Sequence, residues 1–170
     1  MTLPALPLFF RLDGRPVILI GAGEAAEAKR RLLERAGAVV VGESDGAALA
    51  IVVDDDAAVA RLKARGVLVN AVDRPELCDF TLPAIVDRAP VIVAIGTGGA
   101  SAGLAAALRQ RLEAMLPARL GRLAEALHAA RGAWRARYPE AGERRRAIGA
   151  ALAAGGALDP LLDHGDAPDA

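Results

Sequence analysis

Two stretches of this 170-residue chain carry residue types at spacings that suit chemistry. The first is Gly21-Ala-Gly23-Glu-Ala-Ala26, which directly follows an apolar run and opens an Ala, Leu and Arg-rich helical pattern. In that context the pattern points to dinucleotide binding. Gly21 permits a tight turn, Gly23 lets a pyrophosphate reach the backbone N–H groups at the positive end of a helix, and Ala26 keeps helix and strand close. A free ribose hydroxyl then needs an acidic acceptor near the end of the second strand. Glu43 stands twenty positions after Gly23 with no arginine nearby to receive a 2′-phosphate, so the spacing favours NAD over NADP. The second stretch is Asn70-Ala-Val-Asp73. Asp73 falls at the carboxyl end of a short strand, where open α/β sheets bind ligands, and is a candidate general base. As a lone carboxylate before Pro75 it serves equally well to cap a turn.

Other reactive residue types point to little. His128 and His164 have no Cys, Asp or Glu at metal-ligand spacing, so no metal site is expected. Cys78 has no histidine near it in sequence and reads as a loop or core residue rather than a nucleophile. Asp54-Asp55-Asp56 superficially resembles a Mg²⁺ cluster, but following a strand it is better read as a helix cap.

The elements that must hold these residues alternate. Pro16 to Ile20 is a strand buried on both faces, and a helix from the glycine turn runs to Ala36, with Gly37 as its stop. Ala38 to Val41 and Leu49 to Val53 are further strands, a helix capped by the acidic turn runs through Arg65, and Val67 to Val69 is a fourth strand. Such an order implies an α/β fold with a Rossmann-like, mostly parallel sheet and helices on both faces. After Pro75 the pattern changes. Phe80 to Val86 and Val91 to Ile95 are separated by only Asp87-Arg88-Ala89-Pro90, too few residues for a parallel crossover, so they are expected to be antiparallel. Helices are expected from about Ser101 to Met115, from about Ala118, and from Glu140 to Ala153. The tail, with Asp159, Asp163, Asp166 and Asp169, is expected to fray. The resulting division is 1–74, 75–115 and 116–170.

Composition excludes several function classes. With 54% apolar and 25% charged residues the chain is globular rather than disordered, and five aromatic residues are too few for a nucleic-acid stacking platform. Net charge is zero, so no global field steers it to a polyanion and no nucleic-acid partner is expected. Locally, residues 109–146 hold ten Arg against four Glu. The single cysteine, the lack of a signal-peptide pattern at residues 1–8, and the glycine turn that interrupts the uncharged run from Ala89 to Leu108 all fit a cytoplasmic protein without a membrane span.

Taken together, several segments resemble a known family: Leu6-Pro-Leu-Phe-Phe-Arg-Leu-Asp-Gly-Arg-Pro-Val-Ile-Leu-Ile-Gly-Ala-Gly-Glu-Ala-Ala-Glu-Ala-Lys-Arg-Arg-Leu-Leu, Asn70-Ala-Val-Asp73, Phe80-Thr-Leu-Pro-Ala-Ile-Val-Asp-Arg88, Gly98-Gly-Ala-Ser101 and Leu116-Pro117. Their combined order is similar to the precorrin-2 dehydrogenase/sirohydrochlorin ferrochelatase module of siroheme synthase, over roughly residues 4–136. The resemblance implies a homodimer whose chains each have an NAD-binding domain, a strand-exchanging dimerisation segment and a helical C-terminal region, with the active cleft between these parts. The implied reaction is oxidation of precorrin-2 to sirohydrochlorin with NAD, and many members of the family then insert ferrous iron. The family's essential aspartate matches Asp73. The resemblance places the cofactor against Gly21, Gly23, Glu24, Ala25, Glu43, Ser44 and Asn70. It places the substrate, which carries eight carboxylates, against Thr97, Ser101 and the clamp candidates Arg109, Arg111, Arg119 and Arg122.

This chain also departs from the family pattern. Between Val41 and Leu49 the family has a longer segment with another strand and its return, so the outer edge of the sheet is expected to be cut away here. The Ser-Pro that follows the family's Gly-Gly turn is Ser101-Ala102. Two alternatives stay open: a chelatase without the oxidation step, and a non-catalytic regulatory module that binds a dinucleotide or tetrapyrrole.

Overall fold

The computed structural model describes residues 3–43 and 46–162. Six strands and six helices follow in order: β1 (Pro16–Ile20), α1 (Glu24–Arg35), β2 (Val39–Val41), β3 (Leu49–Val52), α2 (Asp56–Ala64), β4 (Leu68–Ala71), β5 (Ala84–Arg88), β6 (Val91–Ile95), α3 (Ala102–Met115), α4 (Leu120–Ala129), α5 (Arg131–Arg137) and α6 (Ala141–Leu152). They form two compact units. The first runs up to Leu82 and includes Gly98–Ala100, and the second is Pro83–Thr97 with the residues from Ser101 onward.

In the first unit a wholly parallel four-stranded sheet has the order β2-β1-β3-β4. Short β-branched and apolar runs form it because both faces are covered, which a parallel sheet requires. On one face Ile18, Val52 and Val69 pack against Ala58, Val59 and Leu62 of α2. On the other, Val17, Leu19 and Ile51 pack against Leu33 of α1. Each fully buried Ile or Leu here contributes about 1.5–3 kcal/mol. The alternating strands and helices read from sequence are all present, and β2 is the sheet's edge strand, with no strand beyond it among the described residues. The acidic turn caps as expected, the Asp55 carboxylate accepting from Ala58 N at 2.8 Å.

The first unit runs past the expected boundary at residue 74, for a local reason. Asn70, buried in β4, donates through Nδ2 to the carbonyl of Phe80 at 2.9 Å, and the Asp79 carboxylate accepts from Val69 N at 2.9 Å and from Lys63 at 2.9 Å. Phe80 and Leu82 pack on the sheet's core. These contacts fasten residues 79–82 to the parallel sheet, which corrects the strand expected from Phe80: β5 begins only at Ala84.

In the second unit β5 and β6 pair antiparallel, as expected, but the pairing continues to Arg88↔Val91 and leaves a tight turn at Ala89-Pro90. Arg88 spans from this hairpin to the end of α3, donating from Nε to the Leu116 carbonyl at 3.1 Å and from one terminal nitrogen to that of Glu113 at 2.7 Å. These carbonyls have no partner inside the helix, and a guanidinium suits its negative end. The seven-residue α5 was not expected, and α4 starts at Leu120 rather than Ala118. Asp159 is also not frayed. It is buried, and its carboxylate accepts from Gly155 N at 2.7 Å and Leu161 N at 2.9 Å. Asp163, Asp166 and Asp169 lie outside the described residues.

Candidate functional site

Strand β1 delivers the glycine turn to the carboxyl edge of the parallel sheet. Gly21 has φ +111°, and a Cβ there would stand 2.7 Å from both the Val53 Cβ and the Val53 carbonyl oxygen. Only glycine fits. Gly23, the residue before α1, has φ +85°, and a Cβ there would meet nothing within 4 Å. No side chain among the described residues caps this helix, so its first N–H groups and positive end face the open space beside Gly23. Ala26 is buried against the sheet, while Glu24 and Ala25 are exposed. A tight turn, a small helix–strand contact and an uncapped helix end beside an open approach together fit a pyrophosphate, so the residues present suit a dinucleotide.

Asp73 lies on the same edge. The register Val52↔Ala71 between β3 and β4 puts Asp54 and Asp73 two residues beyond the last paired positions, and both are left-handed, with φ +56° and +59°. These two are the non-glycine positive-φ residues among those described. The left-handed conformation is unusual outside glycine and is best tolerated by Asp and Asn. Asp73 is exposed, and its carboxylate makes no hydrogen bond or ion pair with another described residue. It therefore faces solvent at the carboxyl edge of the parallel sheet. The neighbouring Arg74 pairs instead with Asp56 and Glu76, at 2.9 and 2.7 Å.

Asn70 and Cys78 do structural work next to it. Asn70 binds Phe80 as above and meets the Cys78 sulfur at 3.5 Å, and the thiol donates to the Ala71 carbonyl at 3.1 Å. This pair shapes the loop that follows Asp73.

Glu43 is where the structure departs most from sequence reasoning. Its carboxylate is held by Arg61 and Arg65, each at 3.1 Å. The hydrogen bond from Arg61, with the charges of both arginines and the Arg65 hydrogen bond, keeps the Glu43 carboxyl below its ordinary range and together outweighs the desolvation that would raise it. The expectation that no arginine stands nearby is thus corrected: α2 brings two of them. They are 18 and 22 residues away in sequence, and only the packing of α2 beside the short β2–β3 connection could reveal them. Ser44 lies outside the described residues.

In the second unit Thr97 and Ser101 close a loop on one another. The Thr97 hydroxyl donates to the Ser101 carbonyl at 3.1 Å, and the Ser101 hydroxyl accepts from Leu104 N at 3.1 Å and so caps α3. Of the expected clamps, Arg109 pairs with Glu113, and the half-buried Arg119 donates to the Asp159 carbonyl at 3.3 Å. Arg111 and Arg122 are exposed and have no ion pair among the described residues.

Comparisons with known proteins extend this picture. The family described as "Putative NAD(P)-binding" matches residues 42–84, a span that takes in Glu43, Asn70 and Asp73 but not the glycine turn. Siroheme synthases of Methylobacillus flagellatus and Azotobacter vinelandii are 38% and 39% identical, each over 173 residues that cover 82% of this chain and 37% of the relative. That of Methylococcus capsulatus is 39% identical, covering 82% and 36%. The chain thus spans little more than a third of the length of these relatives. An aligned stretch of 173 residues that covers only 82% of a 170-residue chain also means that the relatives carry residues in it which this chain lacks. Among solved structures, "SirC, precorrin-2 dehydrogenase" matches with a TM-score of 0.63 at 17% identity, over 84% of this chain and 86% of that one. The likeness establishes a shared Rossmann-like fold.

Proposed function

From the premise that this chain is a siroheme synthase homologue over the region the two share, we propose that it oxidises precorrin-2 to sirohydrochlorin with NAD. The observation that carries this reading is that one sheet edge presents both the glycine turn and Asp73, with β3 between them. Bound NAD supplies the hydride acceptor. Gly21 and Gly23 seat its pyrophosphate on the first turn of α1. Oxidation removes a hydride and a proton from the macrocycle, and the Asp73 carboxylate, open to solvent, accepts the proton. Ferrous iron is a second substrate in this reading, because its insertion displaces two pyrrole N–H protons that the same carboxylate can collect.

Glu43 takes a different role from the one its spacing suggested. By neutralising Arg61 and Arg65 it withholds the two cations that would otherwise attract a 2′-phosphate, and so keeps the preference for NAD. The active form is a homodimer in the cytoplasm. What supports a dimer is apolar surface left open in the second unit, where Leu104, Leu108 and Met115 share one stripe of α3 and Ile92 is 47% exposed on the two-stranded sheet. No helix among the described residues is long and apolar enough to cross a membrane. Anaerobic incubation with precorrin-2 and NAD tests the proposal: NADH and the sirohydrochlorin spectrum should rise together. Absence of both overturns it.

A further inference from the structure

The helices of the second unit surround a groove of 290 Å³ lined by Leu127 of α4, Arg131, Trp134 and Arg135 of α5, and Arg144 and Ile148 of α6. The reaction described above makes no use of it. The spacing of residues 131, 134 and 135 puts two guanidinium groups and the indole on one helix face. Leu127 and Ile148 add apolar surface, so the lining combines a place for a flat ring with groups that bind carboxylates.

The lining is also held in place before any ligand arrives. One terminal nitrogen of Arg144 donates to the carbonyls of Tyr138 and Pro139, at 2.8 and 3.1 Å, across the turn between α5 and α6. Trp134 stacks on Tyr138 with ring centroids 5.7 Å apart, and the Arg137 guanidinium lies 5.5 Å from the Tyr138 centroid. Preorganised groups bind at lower entropic cost. Arg131 and Arg135 take part in none of the ion pairs among the described residues, so the charge facing the groove is not cancelled within them. Its volume lies at the lower end of the roughly 300–1,000 Å³ usual for small-ligand pockets, which suits one ring rather than a whole macrocycle.

We propose that this groove is a binding site for a single aromatic ring carrying carboxylates. Resting on the function proposed above, that ring is one acetate- and propionate-bearing pyrrole at the edge of the tetrapyrrole. Arg131, Arg135 and Arg144 receive the carboxylates, and Trp134 receives the ring face.

Trp134 is the chain's single tryptophan, so intrinsic fluorescence reports on the groove directly. The full chain, without NAD, is titrated with a monopyrrole bearing acetate and propionate arms, with its dimethyl ester, and with inorganic phosphate at matched ionic strength. The diacid should change the emission saturably while the ester and phosphate do not. The variant carrying Arg131→Ala and Arg135→Ala should bind the diacid about tenfold or more weakly, as expected when charge-assisted hydrogen bonds are lost. Its melting temperature should match that of the unmutated chain, because both arginines are exposed. No saturable response to the diacid, an equal response to phosphate or to the ester, or unchanged affinity in the double variant overturns the proposal. Because no turnover is read, failure here leaves the oxidation standing, and failure of the oxidation leaves ring binding to be judged on its own result.

Discussion

Replacing each of the two glycines of the turn by alanine separates folding from cofactor binding. At Gly21 the new Cβ would lie 2.7 Å from the side chain and the carbonyl of Val53, and the backbone there has φ +111°. The carbonyl belongs to the chain leaving β3 and cannot yield without shifting the buried sheet. Strain at such a φ costs about 1–3 kcal/mol, and overpacking a rigid contact about the same again. The sum, about 2–6 kcal/mol, is a large share of a typical domain stability of about 5–15 kcal/mol. For a chain of this size it lowers Tm by roughly 5–20 °C. At Gly23 the Cβ would meet nothing within 4 Å, so only the backbone strain of φ +85°, ψ −173° remains, about 1–3 kcal/mol. That Cβ nevertheless occupies the approach of the pyrophosphate. Thermal unfolding and calorimetric titration with NAD should therefore rank the variants in opposite orders: Gly21→Ala loses stability most, whereas Gly23→Ala loses less stability and loses NAD binding. A Gly23→Ala protein that binds NAD undiminished refutes the cradle, and a Gly21→Ala protein with an unchanged Tm refutes the Val53 contact.

Three further outcomes follow from contacts already described. Glu43→Ala removes the carboxylate that Arg61 and Arg65 share, so competitive titration should show NADP gaining on NAD, and an unchanged ratio would remove Glu43 from cofactor selection. Burial pushes the Asp79 carboxyl up, but the hydrogen bonds from Lys63 and Val69 N–H and the Lys63 charge outweigh it, so its folded pKa lies below the unfolded one. Its contribution is then complete above the unfolded value of about 4 and is lost as pH falls through the folded value. Asp79→Asn should be the less stable protein in urea at pH 7 and should converge on the unmutated one under more acidic conditions; a gap that persists at low pH contradicts this account. Light scattering at micromolar concentration should give twice 17.5 kDa, and replacing Leu104 and Leu108 by Ser should shift the mass towards the monomer, whereas a strictly monomeric unmutated chain contradicts the dimer.

How much of this could be read from the sequence depended on how local the cause was. The parallel strands, the glycine turn and the Asp55 cap rest on contiguous patterns such as Val17-Ile-Leu-Ile20 and Asp54-Asp-Asp56, and they came through. That no strand lies beyond β2 among the described residues was legible because seven residues between Val41 and Leu49 leave no room for one. What escaped was long-range. The Arg61 and Arg65 partners of Glu43 depend on how α2 packs, and no spacing rule reaches across 18 or 22 residues. The late start of β5 depends on Asn70 and Asp79 holding the Phe80 segment to the sheet, although Phe80 to Val86 reads as strand on propensity alone. Asp159 looked like part of an acidic tail, and its burial shows only when its two backbone donors are seen. The left-handed backbone of Asp73, which sets it at the open edge, was likewise invisible from its spacing.

The central claim is that Asp73 accepts the proton of precorrin-2 oxidation, and Asp73→Asn tests it most directly. Asparagine tolerates φ +59° and preserves the side chain's shape, so the variant removes the proton acceptor without straining the turn. Measured anaerobically with precorrin-2 and NAD, the rate of NADH formation should fall about 10²- to 10⁴-fold, while circular dichroism and NAD affinity stay as they were. If the folded variant forms NADH and sirohydrochlorin at the unmutated rate, Asp73 is not the base, and the catalytic account built on it fails.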